Sequence, residues 1–151
     1  MPPARKRPRS YDPAKTRAAT SPQGWRSFGD IGRLDDEGYL YLTDRKDFVI
    51  VSGGVNIYPQ EIEDVLLQDP RVCDAAVFGM PNDEYGEEIK AVIQPAHPDF
   101  TGPAVAEALK ARCRELLGPL KVPRSIDFES DFPRHATGKL YKKLLRDRYL
   151  A

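Results

Sequence analysis

The sequence predicts an α+β fold in which a small central β-sheet packs with about three helices and is preceded by a β-hairpin. Short β-prone runs alternate with amphipathic segments along the chain. Two of those segments carry Pro or Gly where helices usually begin or end. A turn rich in Asp and Gly joins two of the β-prone runs. At 151 residues the length favours one compact domain.

Residues 1–23 are rich in Pro, Arg, Lys, Ser and Thr and poor in large apolar groups. Such a segment buries too little surface to offset its ordering entropy, so we predict a disordered or loosely docked lead-in. Its basic run, Arg5 to Arg9, could bind nucleic acid or act in targeting, although a solvated tail explains it as well. The lead-in therefore carries no assigned function.

A hairpin is predicted in residues 24–46, which we interpret as a linker segment. Its two β-prone runs, Phe28 to Leu34 and Tyr39 to Thr43, flank the turn Asp35 to Gly38. A continuous apolar run, Phe48 to Val51, predicts the next strand.

Residues 47–151 are predicted to form the small domain itself. Pro59 begins a helix with Ile62, Val65 and Leu66 on one face. Three further strands are predicted, at Val72 to Phe78, Glu87 to Gln94 and Ser125 to Phe128. A helix is predicted from Gly102 to Leu117, with apolar residues at helical spacing: Val105, Ala108, Leu109, Cys113 and Leu116. A terminal helix is predicted from Leu140 to Tyr149, with Leu140, Leu144 and Leu145 inward.

The composition excludes several classes of protein. Twenty-three basic and twenty-three acidic side chains cancel, so no overall field draws the chain toward nucleic acid or a membrane. No apolar stretch approaches transmembrane length, and a cytoplasmic location is expected. The two cysteines, Cys73 and Cys113, are too few for a disulfide framework and match no metal-ligand spacing. We expect both to be buried free thiols and no metal site in the chain.

Lys139 is the first candidate for a catalytic residue. It follows Thr137 and Gly138, a small flexible pair that lets a loop bring a long cationic side chain close to another backbone. A positioned ammonium could bridge two anionic groups and stabilise the charge that develops between them. Taken alone, the motif is weak and favours a solvated loop lysine before a basic helix.

The second group of candidates lies upstream. Asp30 could accept hydrogen bonds from ribose hydroxyls, and Arg45 could reach the same sugar or a phosphate. Ser52, Gly53 and Gly54 lack bulk, so a thin ligand could approach their backbone. A turn residue, a surface ion-pair partner and a tight turn are the simpler interpretations when each is taken singly.

Two runs in this order resemble the C-terminal domain of the adenylate-forming (AMP-binding) enzymes, and among them the acyl-CoA synthetases that act on fatty or related carboxylic acids. The first is GDIGRLDDEGYLYLTDRKDFVIVSGGVNIYPQEIEDVL, residues 29–66. The second is PRHATGKLYKKLLRDRYL, residues 133–150. The resemblance extends from about Trp25 to Tyr149.

The resemblance implies a role for each candidate. Asp30 matches the aspartate that holds the ribose, Arg45 a nearby nucleotide-binding arginine, and Asp47 the hinge about which the small domain rotates. Lys139 matches the lysine of adenylate formation. After rotation, Ser52 to Gly54 would line the passage for the pantetheine arm of CoA. ATP and CoA are the implied substrates and AMP a product, with Mg²⁺ accompanying ATP in the complete enzyme.

The resemblance also implies a partner. The sequence holds no Gly-, Ser- or Thr-rich loop with a lysine that could cradle the β- and γ-phosphates. We therefore expect a large N-terminal AMP-binding domain to supply the nucleotide and carboxylic acid sites, and we expect the chain alone to hold neither substrate and to show little activity. A non-catalytic binding module, or a fragment that keeps the fold, is the alternative.

Overall fold

A computed structural model describes residues 12–151, apart from the side chains of Thr43 and Asp44. Helices and strands alternate, and the predicted α+β class is confirmed. The helices are α1 Pro13–Ala18, α2 Pro59–Leu67, α3 Pro103–Leu117 and α4 Lys142–Leu150. The strands are β1 Asp30–Leu34, β2 Leu40–Arg45, β3 Ile50–Ser52, β4 Val55–Ile57, β5 Val72–Asn82, β6 Gly86–Pro95 and β7 Ser125–Phe128. Short 3-10 turns occupy Lys46–Phe48 and Pro119–Lys121.

The centre of the fold is the long antiparallel pair β5–β6. Its register runs from Asp74 opposite Gln94 to Asn82 opposite Gly86. On the far side of β6, strand β7 pairs in parallel, and β3 with its partner β4 joins near Gly86. Both central strands are longer than the sequence predicted, because the ladder continues through Gly79 to Asn82 up to the turn at Gly86.

Helices cover both faces of this sheet. Alternate residues of β5 point to opposite faces, so Val77 enters the core beneath α2 and α3 while Phe78 packs toward α4. The first core includes Ile62, Leu66 and Leu109, and the second is closed by Phe132 and Leu145. Burial on both faces explains why the middle of β5, from Ala75 to Met80, carries no polar side chain.

The apolar faces predicted for helices α3 and α4 are only partly buried, whereas the face predicted for α2 is buried. In α2, Ile62, Val65 and Leu66 are buried as predicted. In α3, however, Ala108 and Leu116 face solvent, and the buried residues are Ala106, Leu109 and Cys113. This helix buries a narrower stripe, because only one side of it contacts the sheet and α2.

The terminal helix α4 begins at Lys142, so Leu140 precedes it, and Leu144 is 43% exposed. Its only fully buried residue within the described range is Leu145. One buried leucine per two turns is enough here because Phe132 closes the rest of the second core.

The region after β2 also differs from the prediction. Phe48 ends a 3-10 turn rather than starting a strand, and β3 begins only at Ile50. Ser52 pairs with Val55 across a two-residue turn, so the strand β4, which was not predicted, follows at once. Gly53 and Gly54 have φ values of +57° and +80°, which is the combination that a type I′ hairpin turn requires.

The predicted hairpin β1–β2 is present. The Asp35 N–H donates to the Tyr39 carbonyl and the Gly38 N–H donates to the Asp35 carbonyl, which forms a three-residue turn with Gly38 at φ +85°. The backbone N–H of Tyr39 also donates to the Asp35 carboxylate and lowers its pKa below the usual value. Asp35 therefore acts as the cap of this turn.

Residues 1–11, with the basic run Arg5 to Arg9, lie outside the described residues. Within the remainder of the predicted lead-in, α1 is an unpredicted short helix whose first turn is capped by the Asp12 carboxylate, which accepts the N–H groups of Ala14 and Lys15. Cys113 is buried, which raises its pKa to about 11, but Cys73 is exposed, so the expectation of two buried thiols is wrong for Cys73. Its side chain falls at the irregular start of β5. None of the described helices has the length and apolarity to cross a membrane.

A buried ion pair joins three elements of the fold. The Glu63 carboxylate on α2 accepts the Val77 N–H of β5 at 2.7 Å and pairs with the Lys142 ammonium of α4. The two charged side chains are 7% and 13% exposed. Since burial strips water from both charges, each depends on the other for compensation.

We predict that Glu63→Ala destabilises the chain by about 3 kcal/mol, because Lys142 is left as a buried charge and Val77 loses an acceptor. Urea unfolding measures this cost. The matched control is Glu107→Ala, which removes the exposed pair with Lys110 and should cost less than about 1 kcal/mol. Equal losses in the two variants would contradict the structural role of the buried pair.

Candidate functional site

Four of the predicted site residues line one groove of about 1090 Å³ between the β1–β2 hairpin and the C-terminal part of the chain. Asp30, Arg45 and Asp47 come from the hairpin side and Lys139 from the opposite side. Lys139 lies at least 92 positions after the other three (139 − 47), so the fold brings it to them. Ser52 to Gly54 are not among the residues that line the groove.

Lys139 lies on a tight hairpin turn. The His135 N–H donates to the Lys139 carbonyl at 2.8 Å, and the Gly138 N–H donates to the His135 carbonyl at 2.8 Å. Gly138 has φ +83°, so this is the same three-residue turn that joins β1 to β2. A side chain at position 138 would strain this conformation, which gives the Gly before Lys139 a physical reason.

The arms of this hairpin are held by the backbone and by a ring contact. The Tyr141 N–H donates to the Pro133 carbonyl at 2.7 Å, and the rings of His135 and Tyr141 stack with their centroids 4.1 Å apart. The Lys139 side chain is exposed, and among the described residues no hydrogen bond or ion pair engages its ammonium. Lys139 is thus held at its backbone while its charge faces the groove.

Asp30 and Arg45 are neighbours because of a β-bulge. Next to the turn, β1 and β2 pair in a register that puts Gly32 opposite Leu42. If that register continued along the strands, Asp30 would lie opposite Asp44. The register shifts between Ile31 and Gly32, so Asp30 instead faces Arg45. Their charges then lie 3.5 Å apart, with 43% and 63% of the side chains exposed. An exposed pair of this kind is worth only about 0–1 kcal/mol, so a ligand can displace it at little cost.

The predicted hinge residue Asp47 sits in the 3-10 turn that follows the hairpin. The Lys46 N–H donates to the Gly29 carbonyl at 2.7 Å, so the hairpin pairing ends one residue before Asp47. On the other side, the Lys142 ammonium lies 5.2 Å from the centre of the Phe48 ring. Asp47 is therefore the junction between the paired hairpin and the packed domain.

Lys142, Glu63 and Phe48 also line the groove, although they were not among the predicted site residues. Lys142 was interpreted only as part of a basic helix, and no sequence signal links it to Glu63, 79 positions earlier. The acidic Glu63 is the one clue, since a carboxylate within an apolar helix face needs a cationic partner. The groove as a whole mixes cations with carboxylates rather than presenting one sign of charge.

The Ser52–Gly54 turn lies at the other end of the sheet. The Gly53 N–H donates to the Tyr85 carbonyl at 2.9 Å, at the turn between β5 and β6. The Lys139 hairpin instead lies near the opposite end of these strands, where Asp74 pairs with Gln94. Eight residue steps separate Asp74 from Asn82 (82 − 74), and at about 3.3 Å each they place the two ends roughly 26 Å apart.

No group of three or more His, Cys, Asp or Glu side chains with the geometry to hold a metal ion occurs within residues 12–151.

Comparisons with known proteins agree with the resemblance in the sequence. Residues 61–139 match the family described as the AMP-binding enzyme C-terminal domain. The long-chain-fatty-acid–CoA ligase FadD13 of Mycobacterium tuberculosis is 40% identical over 139 residues, which are 92% of this chain and 27% of FadD13.

Solved structures agree as well. ATP-bound MatB from Rhodopseudomonas palustris superposes with a TM-score of 0.81 at 31% identity, over 91% of this chain and 27% of MatB. The o-succinylbenzoate CoA synthetase MenE from Bacillus subtilis, in complex with its acyl-adenylate intermediate, gives 0.74 at 37% identity, over 87% of this chain and 26% of MenE. The chain thus spans about a quarter of the length of the relatives it matches.

We predict that Gly138→Ala loosens the Lys139 hairpin without unfolding the domain. An alanine in the left-handed backbone conformation costs about 1–2 kcal/mol. The turn should therefore open more often, and the His135 amide should exchange with solvent roughly tenfold faster. NMR-detected hydrogen exchange measures this, with Thr137→Ala as the control in the same turn. Unchanged exchange at His135 in Gly138→Ala would contradict the turn geometry.

Proposed function

Because the chain belongs to the family of AMP-binding enzyme C-terminal domains, we propose that it is the small domain of an acyl-CoA synthetase and supplies Lys139 for adenylate formation. The observation that carries the proposal is the common groove of Asp30, Arg45, Asp47 and Lys139. The proposed reaction converts a carboxylic acid, ATP and CoA to acyl-CoA, AMP and pyrophosphate.

In the first proposed half-reaction a carboxylate oxygen attacks the α-phosphorus of ATP. A phosphorus–oxygen bond forms to the acyl group, and the bond to the pyrophosphate breaks. Two anions approach each other, so an ammonium between them stabilises the charge that develops. Lys139 suits this role because its backbone is fixed by a hairpin while its charge is exposed and lacks a partner among the described residues.

Asp30 and Arg45 are proposed to bind the nucleotide. The carboxylate accepts hydrogen bonds from the ribose hydroxyls, and the guanidinium donates to the same sugar or to a phosphate. Their weak, exposed mutual contact supports this, since it orients both groups and is easily exchanged for a ligand. Mg²⁺ would arrive with ATP and neutralise phosphate charge.

The second proposed half-reaction uses the other end of the sheet. The CoA sulfur attacks the acyl carbonyl, the bond to AMP breaks, and the thiol proton is released. Two loops about 26 Å apart cannot approach one reaction centre together, which supports a rotation about Asp47 between the half-reactions. After that rotation the Ser52–Gly54 turn would line the path of the pantetheine arm.

The proposed partner is a large N-terminal AMP-binding domain that holds the acyl group and most of the nucleotide. The share of the relatives that this chain spans supports such a partner. A fatty or related carboxylic acid is the proposed substrate class, because FadD13 is named as a long-chain-fatty-acid–CoA ligase. The cytoplasmic location expected from the sequence stays a prediction.

ATP–pyrophosphate exchange with a panel of carboxylic acids tests the proposal. The chain is assayed alone, mixed with a full-length acyl-CoA synthetase that lacks its own catalytic lysine, and as a chimera in which the 139 matched residues replace their FadD13 counterparts. Exchange in the mixture or in the chimera, with little from the chain alone, is the expected result. No exchange in any form would favour a binding module and reject the ligase role.

In the chimera, we expect Lys139→Ala to slow adenylate formation by about 10²–10³-fold, because one charge-stabilising donor is lost. The attack of CoA on preformed acyl-adenylate should stay close to the unsubstituted rate. Lys110→Ala on α3, which pairs with Glu107 outside the groove, is the control and should leave both steps unchanged. A parallel loss in both half-reactions would reject the role assigned to Lys139.

A bulky residue at Gly54 should have the opposite effect. Gly54→Val forces a β-branched side chain into a φ of +80° and narrows the proposed CoA passage, so thioester formation from acyl-adenylate should slow while pyrophosphate exchange persists. Gly24→Val, at φ +85° at the start of the linker segment, carries similar backbone strain without the passage. If Gly54→Val impaired adenylation first, the turn would not belong to the CoA step.

A further inference from the structure

The hairpin that carries Lys139 is tied to the central sheet by one side chain, Arg134. One guanidinium nitrogen, Nη2, donates to Oδ2 of Asp74 at 2.7 Å and to Oε1 of Gln94 at 3.1 Å. The other, Nη1, donates to the Gly138 carbonyl at 3.3 Å. The same side chain therefore joins the residue directly before Lys139 to the end of the β5–β6 ladder.

The acceptors of Arg134 are themselves fixed. Asp74 and Gln94 are cross-strand partners in β5 and β6, beside the register shift that opens β5. Oδ1 of Asp74 also accepts the Ala75 N–H at 2.9 Å, and Nε2 of Gln94 donates to the Ser130 carbonyl at 3.2 Å. These fixed acceptors hold the Arg134 guanidinium in one orientation. The guanidinium in turn fixes the orientation of the Gly138 carbonyl.

From this geometry we infer that Arg134 is a positioning residue for Lys139, an inference that rests on the proposed function. Residues 135–139 are all exposed, so burial does not fix the turn. Phe132 and Leu140 anchor the arms in the second core, but the tip depends on its own backbone bonds, on the stack of His135 on Tyr141 and on Arg134. Loss of this tie leaves the fold intact and lets the tip move.

Arginine suits this task better than lysine. A planar fork of donors can hold a carboxylate, an amide oxygen and a backbone carbonyl at once, and it is pre-organised to do so. A lysine ammonium is a single point of charge that keeps the attraction to Asp74 but cannot span all three acceptors. Arg134→Lys therefore separates the need for charge from the need for the fork.

The first experiment does not depend on any activity. Hydrogen exchange is measured by NMR on the chain with Arg134→Ala, with Arg112→Ala as the matched control, since Arg112 contacts Gln68 on another surface. The amides of His135 and Gly138 should exchange about tenfold faster in Arg134→Ala alone. The Val77 amide in the core should not change. Equal exchange at His135 in both variants would overturn the inference.

The second experiment uses the chimera with FadD13. Arg134→Ala should lower the rate of pyrophosphate exchange by about 10- to 100-fold, the cost expected when a catalytic group is misplaced by about 1 Å. The KM for ATP and the rate of thioester formation from acyl-adenylate should change little. Arg134→Lys should recover the rate of pyrophosphate exchange only in part. The double variant Asp74→Ala with Arg134→Ala should exchange pyrophosphate no more slowly than Arg134→Ala, because both substitutions remove the same contact.

The outcomes of the two experiments are distinguishable. Faster hairpin exchange with a normal adenylation rate would overturn the positioning role while leaving the ligase proposal intact. If Arg134→Lys recovered the full rate of pyrophosphate exchange, the planar fork of donors would not be needed and the positive charge alone would explain the effect. A chimera that is inactive without any Arg134 substitution would reject the proposed function, and the exchange data on the chain would then decide the structural tie by themselves.

Discussion

The β5–β6 ladder is the constraint on which the rest of the structure depends. It is long enough that its two ends hold different loops, the Gly53–Gly54 turn beside Tyr85 and the Lys139 hairpin beside Asp74. Both faces of the ladder are buried, so neither end can shift without disturbing a core. Because the ladder is rigid and carries a loop at each end, only one of the two loops can lie at a given reaction centre at a time. Any use of both loops at one centre therefore needs a rotation of the whole body.

The buried pair Glu63–Lys142 connects this rigid body to the segment where rotation would occur. Lys142 begins α4, three residues after Lys139, and its ammonium contacts the Phe48 ring next to Asp47. Glu63 fixes that ammonium and also bonds the backbone of β5. The proposed hinge, the catalytic candidate and the sheet thus meet around one buried charge pair. Because Phe48, Glu63 and Lys142 all follow Asp47, a rotation about Asp47 would carry both contacts of Lys142 with the small domain.

Much of this architecture could be predicted from the sequence, and the exceptions have physical reasons. Periodicity located α2 and α3, and the Asp- and Gly-rich turn located the β1–β2 hairpin. Periodicity could not tell which side of α3 meets the sheet, so Ala108 and Leu116 were placed inward. The strand β4 was missed because type I′ geometry depends on two φ values rather than on an apolar pattern.

The candidate site shows the same division. Asp30, Arg45 and Lys139 were predicted from motifs and their resemblance to a family, and the groove that unites them follows from packing. The pairing of Asp30 with Arg45 depends on one irregular step in the β1–β2 register, which no motif encodes. Arg134 lies within the recognised motif, yet its partners Asp74 and Gln94 are 60 and 40 positions away. Motifs identify groups that carry chemistry, whereas the groups that aim them are set by long-range contacts, and these appear only once the chain is folded.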